Sequence, residues 1–164
     1  MIQEVMDKMI EYDKGDPKRI QHFIKVYSFA HMIALKENVD AKTLEILDIA
    51  SILHDIGIHN CEKKYGKCPG HLQEQEGIAP AQELLVSLKV DESIIERVCY
   101  LIGHHHTYMD DAPLDLQILE EADFLVNAFE DNVSVEAIQK ASGRLFKTNA
   151  GKAYLQMLFF EPRN

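Results

Sequence analysis

Apolar residues recur along this chain at three- and four-residue intervals, and no stretch sustains the period-two alternation of a half-buried strand, so the whole chain reads as helical. Asp16-Pro17 opens one helix, the aspartate as N-cap and the proline in the first turn, and the pattern carries it to about Asn38. Asp40 caps the next. From Ala41 to Asp55 (AKTLEILDIASILHD) most faces are apolar after the first turn, which marks a central helix, with Gly57 just past its end. Residues 58–71 mix Gly, Pro and Lys without periodicity and read as a surface loop, followed by a helix through Leu88. Asp91 caps a helix (ESIIERVCYLIG) that runs into His104-His105-His106, and TYMDDAP is a loop before a helix from Asp115 to about Phe129. Two further helical segments, near 133–147 and 150–160, complete the chain. No repeat, low-complexity tract or linker interrupts it, so the expectation is an all-α, single-domain helical bundle over residues 1–164.

At 164 residues and 46% hydrophobic content, the chain supports one core that buries roughly two thirds of its unfolded surface. It holds no 18-residue apolar run and its N-terminus is charged throughout, so neither a transmembrane helix nor a signal peptide is expected, and the expected location is cytoplasmic. Three cysteines, an odd number without a secretory signal, predict reduced thiols. The formal charge of -10 argues against long nucleic acid as a partner. It leaves room for a small anion if a metal neutralises the site locally. Apolar helix faces would serve either a homodimer or the intramolecular core.

The positions of the eight histidines say more than their number. His54-Asp55 ends the most apolar helix, where a carboxylate is costly unless compensated, by a cation or by solvent at the helix end. His22 lies on one stripe with Val26, Phe29 and Ile33, whereas His31 falls on the opposite side and is set aside as a ligand. Taken alone, His22 is ordinarily a hydrogen-bonded core residue. Asp123 shares an apolar face with Leu119 and Val126, an arrangement served equally by a buried base or a metal. Together the four supply two imidazoles and two carboxylates from three helices, a set suited to a divalent cation. His59, Cys61, Cys68 and His71 fit no common zinc-finger spacing. Walker, G-x-G-x-x-G, G-x-S-x-G and H-E-x-x-H signatures are missing.

The pattern H…HD…HH…D, with LHDIG at the doublet and EEADFLVN at the last acid, resembles the HD-domain superfamily of metal-dependent phosphohydrolases over roughly residues 17–130, with 131–164 as C-terminal helices packed on it. The resemblance implies that His22, His54, Asp55 and Asp123 bind a divalent metal (Mn, Fe, Co, Ni, Zn or Mg) and that Asp55 bridges to a second ion where two are bound. Aligning the family's Ile-x-x-His-His on Ile102 makes His105 a further ligand and His106 its neighbour facing substrate. Two positions depart from the family. Gln73 stands where many two-metal relatives have His, so Glu76, Glu74 or His71 must substitute, with Glu76 beside Gly77 favoured. Ile58 stands where many have Lys after the doublet. Lys25, three residues after His22, and Arg19 become the candidates for meeting a phosphate, and Asp55, His105 and Glu76 for the catalytic set. The implied activity is hydrolysis of a nucleotide or other small phosphoester by a metal-activated water. A di-iron oxygenase and a non-catalytic nucleotide- or metal-binding sensor are the alternatives the same resemblance leaves.

Overall fold

The computed structural model describes residues 1–163, and among them nine helices and no strand: α1 (Ile2–Tyr12), α2 (Pro17–Lys36), α3 (Ala41–Leu53), α4 (Ile58–Tyr65), α5 (Gly70–Ser87), α6 (Glu92–Ile102), α7 (Leu114–Glu130), α8 (Val135–Leu145) and α9 (Asn149–Phe159). The caps form where short acceptor side chains stand before apolar periods: Asp16 accepts from Arg19 N, Asp40 from Lys42 N and Thr43 N, and Asp91 from Ser93 N. Helix α2 ends two residues earlier than its periodicity suggests, and Asn38 takes a left-handed conformation, an asparagine habit.

Helix α3 is the axle. From Ile46 to Leu53 every residue is buried, because α1, α2, α6 and α7 pack around it. Phe23, Ile33, Leu47, Ile49, Ile52, Leu53, Leu101, Ile102 and Leu116 share this core. Several of the polar residues inside it are paired: Asp48 accepts from His31 Nδ1 at 2.9 Å, which accounts for the histidine set aside as a ligand. Glu121 is fully buried yet accepts from Gln117 Nε2, Lys147 N, Thr148 N and Thr148 Oγ1, which pins the α8–α9 connection onto α7. Glu37 Oε1, at the C-cap of α2, accepts from Ala150 N at 2.8 Å and seats α9.

Two expectations are corrected. Residues 58–65, expected as loop, form α4, whose Ile58 and Cys61 are buried while its lysines face outward; Gly66 ends it in a left-handed conformation with its N–H on Glu62 O. Cys61 and Cys68 form a disulfide across 5.5 Å between their Cα atoms, where reduced thiols were expected; Cys99 is free. None of the described helices is long and apolar enough to cross a membrane.

Candidate metal centre

The ends of α3 and α6 and the buried faces of α2 and α7 converge. Helix α3 stops at Leu53, so His54, its backbone still in the right-handed helical region, sits at the C-cap and Asp55 in the following turn. The turn is held by glycine: a Cβ on Gly57 would stand 2.5 Å from Gly77 N and 2.8 Å from Gly77 Cα, so the two backbones meet where no side chain fits. His22 comes from the buried face of α2, Asp123 from the buried face of α7, and His105 from the turn after α6.

His22 Nε2 lies 3.2 Å from His54 Nε2, 3.2 Å from Asp123 Oδ1 and 3.3 Å from Asp55 Oδ2. His54 Nε2 is 3.4 Å from Asp55 Oδ2 and 3.5 Å from Asp123 Oδ1, and His105 Nε2 is 3.7 Å from Asp55 Oδ1. His54 and His105 are fully buried, and Asp123 is 4% exposed.

The opposite ring nitrogens decide what these atoms can do. His54 Nδ1 donates to Ser51 O at 2.8 Å, and His105 Nδ1 to Ile102 O at 2.7 Å. His22 Nδ1 donates to Glu130 Oε2 at 2.9 Å. A carbonyl only accepts, so in the neutral imidazoles the proton sits on Nδ1 and every Nε2 presents a lone pair. Three lone pairs therefore point at two carboxylates, and buried His105 Nε2 has no hydrogen-bond partner. A set of acceptors with no donor between them fits a cation, and anchoring of the distal nitrogen is how metal-binding imidazoles are oriented. His22, His54 and Asp123 offer ligand atoms that lie within 4.8 Å of one another, as do Asp55, His105 and His106.

The protonation states carry the same strain. Burial opposes charge on His54, yet Asp55 and Asp123 outweigh it and hold the imidazole well above its usual range. His22 is raised for the same reason, against its own burial. Burial would raise Asp55 and Asp123, but the facing imidazoles of His54, His22 and, for Asp55, His105 hold both carboxyls below the usual carboxylate range. Without a metal, protons on imidazole take the cation's place.

The surrounding residues sort differently from the sequence expectation. Gln73 Nε2 donates to Cys68 O, so its Oε1 accepts from His106 Nε2 at 2.8 Å and leaves His106 Nδ1 with a lone pair. Burial, with the neighbouring His105, pushes His106 down to about 4. Glu74 accepts from His106 N at 2.8 Å and Thr107 Oγ1 at 2.9 Å, fixing the turn that carries both histidines. Glu76 is not brought to the centre: Lys64 Nζ at 2.5 Å and Tyr65 OH at 3.1 Å hold it, and it belongs to neither donor cluster. His71 is exposed, and His104 stacks on Tyr100 with its Nδ1 on Tyr100 O.

A cavity of about 220 Å³ opens onto Asp55, His22, His106 and Asp123. Lys18 and Arg19 stand in its wall, although Arg19 is tied to Asp16 at 3.2 Å and Glu62 at 2.5 Å. Lys25 grips Glu130 Oε1 at 2.6 Å and does not line the cavity. Lys18, Glu130 and Asn127, which donates to Asp123 Oδ1 at 2.8 Å, were not singled out by the sequence.

The family model described as HD domain matches residues 19–128. A solved structure, a predicted HD superfamily hydrolase from an uncultured Thermotogales bacterium, superposes with a TM-score of 0.68 at 26% identity, covering 96% of this chain and 84% of that one. No curated protein matches the chain significantly.

Proposed function

The chain belongs to the HD-domain family, and from that premise we propose that it is a phosphohydrolase acting on a nucleotide or other small phosphoester. The observation that carries the reading is the donor set: three imidazoles anchored through Nδ1, with Nε2 lone pairs aimed at two depressed carboxylates beside a cavity. His22, His54, Asp55 and Asp123 would hold one divalent cation, and His105 and His106, sharing Asp55, a second. Such a cation supplies charge neutralisation at phosphate oxygens and an acidified water. The chain's own part is positional. Glu130 keeps His22 turned inward, Asn127 fixes Asp123, and Glu74 with Gln73 fixes the His105-His106 turn. Lys18 and Arg19 place positive charge in the wall where a phosphate would enter.

Elemental analysis of protein purified without added metal, followed by a panel of nucleotides and generic phosphoesters with Mn²⁺, Co²⁺, Mg²⁺ and Fe²⁺, tests the reading. The expected result is metal-dependent phosphate release that Asp55→Ala abolishes; normal turnover by that variant removes the mechanism. Imidazole and carboxylate donors also suit iron. Tightly bound iron with a redox-dependent optical change, and no phosphate release, would establish the di-iron oxygenase instead.

A further inference from the structure

Glu120 precedes Asp123 by three residues on α7, about 4.5 Å along the helix axis. There a second cavity of about 300 Å³ opens between α7, the end of α8 and residues 108–110, with Tyr108, Gln117, Glu120, Arg144 and Lys147 in its lining. That volume is at the lower end of small-ligand sites. Tyr108 lines this second cavity: surrounding protein and then the carboxylates of Asp123, Glu120 and Glu74 push its phenol up to about 12. The residue is nevertheless 58% exposed.

Glu120 is the anomaly. It is 3% exposed, and its Oε1 has no hydrogen-bond partner. Its neighbour Glu121, equally buried, accepts from four donors. Lys147 makes no hydrogen bond to Glu120 and acts on it only through its charge; its ammonium donates to Met109 O at 2.9 Å and Asp110 O at 2.5 Å. A buried acid without a partner costs stability, and this one lies in the wall of a cavity. Burial pushes its carboxyl up to about 8, so near neutrality it offers one donor and one acceptor side by side. Lys147 and Arg144 in the same lining disfavour a cationic ligand.

We propose that this cavity is the subsite for the base of a nucleotide substrate, with Glu120 hydrogen-bonding the amino-bearing edge of adenine or cytosine and Tyr108 stacking on its face. An exocyclic amine beside a ring nitrogen presents the donor and acceptor that complement a carboxylic acid, and aromatic stacking supplies affinity without further polar contacts. The proposal rests on the reading of the neighbouring centre as a phosphoester hydrolase, since the phosphate would then lie there.

The test separates the two. Adenosine carries no phosphate, so its binding, measured by calorimetry without metal, reports the subsite alone. Wild type and Glu120→Gln, whose amide keeps a donor and an acceptor, should bind it, and Glu120→Leu about tenfold or more weakly. Tyr108→Ala, at an exposed ring, should weaken binding about tenfold and serves where Glu120→Leu fails to fold. With Mn²⁺, the KM for AMP should lie about tenfold below that for base-free ribose 5-phosphate in wild type and Glu120→Gln, a gap that closes in Glu120→Leu. Adenosine binding without any phosphate release would retain the subsite and remove the hydrolase reading. Binding of neither adenosine nor cytidine to wild type, equal binding by Glu120→Leu, or hydrolysis of AMP, CMP and ribose 5-phosphate without preference would overturn the subsite.

Discussion

His22 uses both faces of its ring, Nε2 toward the centre and Nδ1 on Glu130, while Lys25 grips the other oxygen of that glutamate. Burial would raise the Glu130 carboxyl, but Lys25 and His22 hold it lowered, so it stays anionic and keeps the imidazole basic. Lys25 therefore acts on the centre through two other residues. Glu130→Ala should weaken metal binding about 10- to 100-fold, as loss of such a partner does, with Glu130→Gln losing less because its carbonyl still accepts the Nδ1 proton. Competition against a chromogenic chelator reads this, and an unchanged metal affinity in Glu130→Ala would remove the positioning role. The same residue illustrates a limit of sequence reading. Glu130 ends α7 and stands 108 positions from His22, so no local spacing announces the pair.

At the scale of elements, the α3–α4 turn and α5 are locked together by two glycines. Gly57 has no room for a Cβ against the Gly77 backbone, and a Cβ on Gly77 would meet Ile102 Cγ2 at 2.8 Å. Gly57→Ala should destabilise by about 1–3 kcal/mol through overpacking, a downward shift in the denaturant midpoint, and should also displace Asp55 two residues away. Unchanged stability and metal affinity would mean that the turn yields freely. The close approach also explains Glu76: its backbone lies against Gly57, so its side chain leaves toward Lys64, while Glu74, two residues earlier and on the opposite face, points inward. Periodicity made α2, α3 and α7 legible, and with them His22 and Asp123 on buried faces and His54 at the C-cap of α3, because each helix buries a long apolar stripe. It failed for α4, a single short helix whose Lys63 and Lys64 and flanking Gly and Pro imitate a loop. The histidine run is a separate case. Adjacent histidines diverge on a helix, but the chain leaves helical geometry after Ile102, and His105 and His106 then pack with ring centroids 4.0 Å apart.

For the molecule as a whole, metal, protons and stability are linked through the same groups. His22 and His54 are raised in the folded state, so the stability they contribute is full below the unfolded histidine value and is lost as pH rises through their folded values. Asp55 and Asp123 are lowered, so their contribution is present at neutrality and is lost only as pH falls through their folded values. Glu120 adds a second alkaline loss: raised to about 8, it stays protonated in the folded chain while the unfolded chain releases the proton, so stability falls from about pH 4.5 to about pH 8. That slope is at most about 1.4 kcal/mol per pH unit, and Glu120→Gln should remove it, the variant gaining on wild type across that window and no further above it. Against this background the centre can be isolated. Once the imidazoles deprotonate, the metal-free protein keeps two carboxylates facing each other with nothing between them. A bound divalent cation replaces the lost protons, so the stabilisation it gives should grow with pH. Thermal unfolding of Glu120→Gln with and without Mn²⁺ should show a shift of about 5–10 °C at saturation that widens from pH 6 to pH 9, with His22→Ala showing almost none. A shift that does not depend on pH, or that survives in His22→Ala, would mean the cation binds elsewhere than among these imidazoles.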